Sequence, residues 1–119
     1  MTTERLESDQ KENVVLKQCL EYLNWRGLFV WRNNTGCYKR NGSFIHYGYL
    51  GSSDIIGILP DGRFLAVECK REKGGRLSEK QIEFLDKIKK NGGVAVCVNS
   101  VDELAKIIKT EIEKKQLTN

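Results

Sequence analysis

The sequence predicts one α/β domain, residues 1–119 with a core at about 9–108, in which helices flank a mixed β-sheet. A chain of 119 residues buries about two-thirds of its surface, enough for one core without disulfides or metal ions. Segments with helical spacing lie near both ends of the chain and between short apolar strands. The run 94–98 is apolar throughout, which is typical of a buried parallel strand, so both strand directions are expected.

The first half of the chain is predicted to form a helix, a strand and a hairpin. A helix over 9–26 ends at Gly27, and its apolar residues recur at helical spacing, at Leu16, Cys19, Leu20 and Leu23. A short strand follows at 28–32. Strands at 38–40 and 44–47 flank Asn41-Gly42, a strong signal for a two-residue hairpin turn.

The second half is predicted to form two strands, a helix, a strand and a last helix. The strands, at 54–59 and 63–70, flank the turn Pro60-Asp61-Gly62. Ser78 opens the next helix, which stops at Asn91-Gly92-Gly93. The strand at 94–98 and a helix over 101–115 complete the domain.

The turn at 60–62 fixes which side chains meet across the strands on either side. Proline and aspartate suit a type I turn and Gly62 suits the left-handed residue after it, which gives a three-residue loop. In that register Asp54 lies opposite Glu68, and strand alternation adds Lys70 to the same face. A two-residue loop would instead put the two carboxylates on opposite faces.

Two carboxylates and a lysine at one place suggest metal-assisted phosphodiester hydrolysis. Asp54 and Glu68 repel each other unless a hard divalent cation binds between them, and the carbonyl oxygen of Cys69 could add a further ligand. Lys70 would orient water or stabilise the developing charge. The alternative is a purely structural carboxylate–lysine salt bridge, with Asp54 only ending its strand.

Two polar residues on apolar helix faces are further candidates for the same site. Glu12 lies on the sheet-facing stripe of the first helix and could bind the metal, but it also has capping-box spacing with Asp9. Gln81 lies on the apolar face of the second helix, and it has the same spacing from Ser78. For each of them, a site role and a capping role both remain open.

The charge distribution suggests a polyanionic partner. The formal net charge is +4, and no acid occurs from Tyr22 to Ser53, a stretch that holds eight of the ten aromatic residues. Basic residues among aromatics and amides suit a surface that contacts phosphates and sugars. The alternative is a core hairpin whose aromatic side chains face inward.

Composition also excludes several classes of protein. No apolar stretch is long enough for a transmembrane helix, and the polar N-terminus is unlike a secretory signal, so we expect a cytosolic protein without a membrane partner. The four cysteines are far apart, and His46 is the single histidine. We therefore expect reduced thiols and no zinc site.

The ordered motifs of the chain resemble the VRR-NUC domain of the PD-(D/E)xK nuclease superfamily. The resemblance covers about residues 12 to 103. It is carried by Glu12-x-x-Val15, the run 31–36, the run 51–57, the run 61–64, Glu68-Cys69-Lys70, the run 77–85 and Gly92-Gly93. One departure is Ser53, which stands where the superfamily has its proline. Because that proline binds no metal, we expect activity to survive.

The resemblance implies a restriction-endonuclease-like αβββαβ core and a Mg²⁺-dependent nuclease, active also with Mn²⁺, that selects DNA by structure. It implies Asp54 and Glu68 as metal ligands, Lys70 as the base or water-positioning group, and Glu12 and Gln81 as supporting site residues. Stand-alone members of the family resemble phage-type proteins that act on branched DNA as dimers, and a two-fold homodimer would supply the second active site that paired incisions need.

The alternatives are a non-catalytic nucleic-acid-binding module with the same fold, a sequence-specific restriction-type endonuclease, and a structural assembly subunit. The residues expected to contact DNA are Arg32, Asn33, Asn34, Lys39, Arg40, Arg71, Lys73 and Arg76.

Overall fold

The predicted α/β architecture is confirmed. The computed structural model describes residues 3–117, and it describes the side-chain surroundings of residues 10–114. In chain order the elements are α1 (Thr3–Trp25), β1 (Phe29–Arg32), β2 (Gly36–Arg40), β3 (Ser43–Tyr47), β4 (Ile55–Ile58), β5 (Phe64–Cys69), α2 (Glu79–Lys90), β6 (Val94–Val98) and α3 (Val101–Leu117). No helix in the described part of the chain is long and apolar enough to span a membrane.

Helix α1 ends as predicted but includes residues well before the predicted start. Gly27 has a φ of 76°, its N–H donates to the Asn24 carbonyl, and the Leu28 N–H donates to the Leu23 carbonyl. These two bonds form a Schellman motif, which satisfies carbonyls at the end of the helix. The start predicted at residue 9 is wrong, because Asp9 already lies inside the helix. Residues 3–9 carry no apolar periodicity, so helical spacing could not reveal them.

The main sheet has the strand order β1-β4-β5-β6. Strands β1, β4 and β5 pair antiparallel, whereas β6 pairs parallel to β5 after the α2 crossover. One face of the sheet packs Leu65 and Val67 into the core that includes residues of α1 and α3. On the other face Ala66 packs against Leu85 of α2 and Ala95 of β6. Both faces of β5 are therefore covered, as its sequence predicts.

Strands β2 and β3 form a separate two-stranded sheet. Arg40 pairs with Ser43 around the predicted turn, in which Asn41 and Gly42 have φ values of 52° and 81°. Two positive φ values are what a type I′ hairpin turn requires. Every residue of the two strands except Gly36 is exposed. The alternative of a hairpin with inward-facing aromatic side chains is therefore wrong.

Candidate active site

The turn between β4 and β5 sets the predicted register. The Leu59 N–H donates to the Arg63 carbonyl at 2.9 Å, and Gly62 has a φ of 93°. Ile58 pairs with Phe64 and the ladder continues to Ile55, opposite Val67. One further step of the same register places Asp54 opposite Glu68, in the arrangement that the three-residue loop predicts.

Asp54 is held from both sides just before β4. Its Oδ2 accepts a hydrogen bond from the Cys69 N–H at 2.8 Å, and its carbonyl accepts one from the Asn33 N–H at 2.7 Å. The side-chain amide of Asn33 donates to Ser52 Oγ at 2.6 Å and to the Ser53 carbonyl at 3.0 Å. The chain after β1 thus fixes the segment that presents the Asp54 carboxylate.

Glu68 lies on the same face of the sheet, and its carboxyl group is only partly satisfied. The residue is 2% exposed, and its Oε1 accepts a hydrogen bond from Gln81 Nε2 at 3.1 Å. Its Oε2 is buried and has no hydrogen-bond partner among the described residues. Burial raises the pKa of Glu68 to about 9, and the nearby Asp54 carboxyl adds to this increase.

Lys70 directly follows β5, two residues after Glu68, but its positive charge does not neutralise Glu68. The residue is 9% exposed, and its positive charge opposes the rise in the pKa of Glu68. Among the described residues, no ion pair within 4 Å includes Lys70. The alternative of a structural carboxylate–lysine salt bridge is therefore wrong for this part of the chain.

Gln81 makes contacts that are compatible with both of the roles that its spacing allowed, and its role in a site stays a prediction. Its side-chain oxygen accepts a hydrogen bond from the Ser78 N–H at 2.9 Å, and Ser78 Oγ accepts one from the Gln81 N–H at 3.2 Å. This capping box fixes the first turn of α2. The nitrogen of the same Gln81 side-chain amide donates to Glu68 Oε1.

Glu12 lies close enough to influence Glu68 electrostatically. The capping-box alternative is wrong for it, because Asp9 lies inside α1 and cannot be the N-cap. Glu12 is half-buried, and its negative charge contributes to the raised pKa of Glu68. The described residues contain no group of three or more His, Cys, Asp or Glu side chains that could hold a metal. Direct ligation by Glu12 stays a prediction.

The residues expected to contact DNA differ in how accessible their donors are. Arg32, Asn34, Lys39, Arg40, Lys73 and Arg76 are exposed. Arg71 is half-buried, and its guanidinium donates to the carbonyls of Lys73 at 2.7 Å and Gly74 at 2.9 Å. Arg71 and Asn33 therefore both use side-chain donors to shape loops beside the site, and their contact with DNA stays a prediction.

Sequence reasoning did not find the contacts or burial of three residues near the site. Asn99, after β6, donates its side-chain amide to the Arg71 carbonyl at 2.9 Å, and Ser52 accepts the bond from Asn33. Ser53 is fully buried, and its hydroxyl has no partner within the described chain. None of the three has a local sequence signature. The contacts of Asn99 and Ser52 join residues about 20 or more positions apart, and the burial of Ser53 depends on the tertiary fold.

The paired carboxyl groups of Asp54 and Glu68 fit a hard divalent cation. An acidic oxygen that is buried without a donor, beside a second carboxyl group, needs either a proton or a cation. Two side-chain oxygens and neighbouring backbone oxygens suit Mg²⁺, which usually keeps several waters and takes few protein ligands.

Comparison with protein families gives a match over most of the chain. The family model described as VRR-NUC domain matches residues 8–102, which include all the elements from the body of α1 to the start of α3. No curated protein matches the chain.

Proposed function

The chain belongs to the VRR-NUC family of the PD-(D/E)xK nuclease superfamily, and we propose that it is a metal-dependent DNA endonuclease. The observation that carries this proposal is the buried Glu68 carboxyl group beside Asp54, with one oxygen that no described residue satisfies. A fold that served only to bind DNA would gain nothing from burying one acidic group beside a second, half-buried one.

The metal would be Mg²⁺, with Mn²⁺ as a substitute. Asp54 and Glu68 would hold it, and the Cys69 carbonyl and Glu12 are the further protein ligands we propose. The chemistry that such a cation supplies when bound is Lewis-acid activation of the phosphodiester and of water. The Cys69 N–H fixes Asp54, so this carboxylate keeps its orientation before substrate arrives.

Lys70 and Gln81 complete the catalytic machinery. Lys70 is 9% exposed as a residue and forms no ion pair within 4 Å among the described residues, so its ammonium group is available to position water or to stabilise the charge that develops on the phosphate. Gln81 donates to Oε1 of Glu68, which would leave Oε2 available to hold the metal. Ser53 binds no metal in this scheme, so its replacement of the superfamily's proline is compatible with activity.

The substrate we propose is branched DNA, such as a flap or a four-way junction, cut by a homodimer. Because the described part of each chain has one such site, paired incisions at a branch would require two copies. The phosphate contacts would come from Arg32, Asn33, Asn34, Lys39, Arg40, Arg71, Lys73 and Arg76. Contacts of this kind make binding fall steeply with salt.

The test is cleavage of labelled four-way junction, flap, splayed and linear duplex DNA in Mg²⁺, in Mn²⁺ and in chelator. We expect wild-type protein to cut branched DNA only with metal. Lys70→Ala should lower the cleavage rate by about 10²- to 10⁴-fold while leaving junction binding in chelator unchanged. The control is Lys109→Ala, which removes an exposed lysine from α3 and should cut at the wild-type rate.

Each alternative has its own outcome in this experiment. Intact substrate under all metal conditions would mean a non-catalytic binding module. Cutting of linear duplex at fixed sequences would mean a restriction-type endonuclease. Equal rates for Lys70→Ala and wild-type protein would remove Lys70 from the mechanism.

A further inference from the structure

The β2–β3 hairpin exposes aromatic side chains that its own fold does not use. Tyr38, Phe44 and Tyr47 are 48%, 67% and 49% exposed. Within the described chain, the two strands pair only with each other and not with the main sheet. Isolated two-stranded hairpins are marginally stable, and exposed apolar surface on them usually marks an interaction site.

Each face of the hairpin combines an aromatic ring with a cation. Lys39 and Phe44 are direct cross-strand partners, so they share one face. Tyr38 and Arg40 are two residues apart on β2, so they share the other face. A hairpin built to dock on another protein would concentrate its apolar residues on one face and its charges on the other.

Tyr47 differs from the other two rings because it packs within the hairpin. A Cβ atom added at Gly36 would lie 2.6 Å from the Tyr47 hydroxyl, so the ring covers this glycine. The rings of Tyr38 and Tyr47 are 6.5 Å apart on the same face. Phe44 lies on the opposite face and is the most exposed of the three rings, whereas Tyr38 is the ring two residues from Arg40.

The charges of the hairpin favour a polyanion over a second copy of the same surface. No acidic residue occurs between Glu21 and Asp54, so two such hairpins facing each other would bring like charges together. Lysine and arginine next to exposed rings suit a strand that offers phosphates and bases at once. Paired duplex covers the flat faces of its bases, whereas unpaired bases expose them.

We propose that the β2–β3 hairpin binds unpaired bases at the point where a DNA duplex opens. Phe44 and Tyr38 stack on bases, one on each face of the hairpin, while Lys39 and Arg40 contact the adjoining phosphates. This inference rests on the proposed nuclease function and deepens it, because it names unpaired bases as the substrate feature that is bound.

The test measures DNA binding by the full-length protein in chelator, so that cleavage does not interfere. The probes are a duplex with a short single-stranded gap carrying 2-aminopurine and the same duplex fully paired. Phe44→Ala should weaken binding to the gapped DNA by about 5- to 100-fold, abolish the quenching of 2-aminopurine and leave binding to paired duplex unchanged. Phe44→Trp should bind gapped DNA like wild-type protein.

Phe29→Ala is the matched control, because Phe29 is also 67% exposed but belongs to β1 of the main sheet. It should bind gapped DNA with wild-type affinity. Circular dichroism and the melting temperature verify that each variant folds.

Equal losses on gapped and paired DNA, or no loss for Phe44→Ala, would overturn the proposal. A change of oligomeric state in Phe44→Ala during sedimentation would assign the surface to a second copy instead. Cleavage in Mg²⁺ is measured separately. Failure of wild-type protein to cut would refute the nuclease function, and Phe44-dependent binding to the gap would still stand.

Discussion

Glu68→Gln should stabilise the metal-free protein at neutral pH. The carboxyl group has its ordinary pKa, about 4.5, in the unfolded chain, and burial beside Asp54 raises the pKa in the folded chain to about 9. Below pH 4.5 the group is protonated in both states and costs nothing. As pH rises from 4.5 towards 9, the folded chain keeps a proton that the unfolded chain releases, so the free energy of unfolding falls.

The size of this effect follows from the two pKa values. Each pH unit in that window costs about 1.4 kcal/mol, so the wild-type protein loses about 3 kcal/mol by pH 7. Glutamine is neutral throughout and nearly isosteric, and its oxygen can still accept the bond from Gln81. Glu68→Gln should therefore unfold in denaturant with a free energy about 3 kcal/mol above wild type at pH 7, and with little difference below pH 5.

Metal binding should favour the wild-type protein over Glu68→Gln, which is the reverse of their order of stability without metal. A cation at Glu68 displaces one proton, so Mg²⁺ affinity should rise about tenfold per pH unit below pH 9 in the wild-type protein and not in Glu68→Gln. Urea unfolding at several pH values and calorimetric titration with Mg²⁺ measure both effects. The control is Glu113→Gln, at an exposed position on α3. Parallel stability curves for Glu68→Gln and wild type from pH 5 to 9 would refute the reasoning.

Four other substitutions, at three positions, test single side chains. Gln81→Ala should lose the capping box, at a cost of about 1 kcal/mol in the free energy of unfolding, and should also lose cleavage. Gln81→Glu should keep the capping box but lose cleavage, because it places another acid against Glu68. Thermal unfolding measures the capping role of Gln81 and the cleavage rate measures its role beside Glu68. Cleavage by Gln81→Glu at the wild-type rate would contradict the second role. Ser53→Ala should stabilise the protein by about 1 kcal/mol or more, because it removes a buried hydroxyl without a partner, whereas Ser100→Ala should destabilise it by removing the bond from the Glu103 N–H. Loss of stability in both serine variants would show that the Ser53 hydroxyl is satisfied.

The sheet register was predictable because it depends on local turn chemistry. Pro60, Asp61 and Gly62 determine the loop length, and loop length alone decides whether Asp54 and Glu68 share a face. The order of the elements was predictable for a similar reason, since helical spacing and apolar runs are properties of short segments.

The features that sequence did not reveal depend on tertiary neighbours. The exposure of Phe44 depends on whether any other element covers the hairpin, which alternation within β3 cannot show. The start of α1 was misplaced because Asp9 and Glu12 imitate a capping box inside a polar stretch of helix. Spacing presented the cap and the site as alternatives for Gln81, whereas an amide has an acceptor and a donor that can serve both.

The double use of Gln81 couples the proposed active site to the first turn of α2. Helix ends open far more often than whole domains unfold, and each opening of this turn would release the partner of Glu68. The proposed nuclease activity should then be lost at denaturant concentrations or temperatures at which the sheet is still intact. The hydrogen bonds of Ser78 that hold this first turn would thus be required for the proposed catalysis as well as for folding.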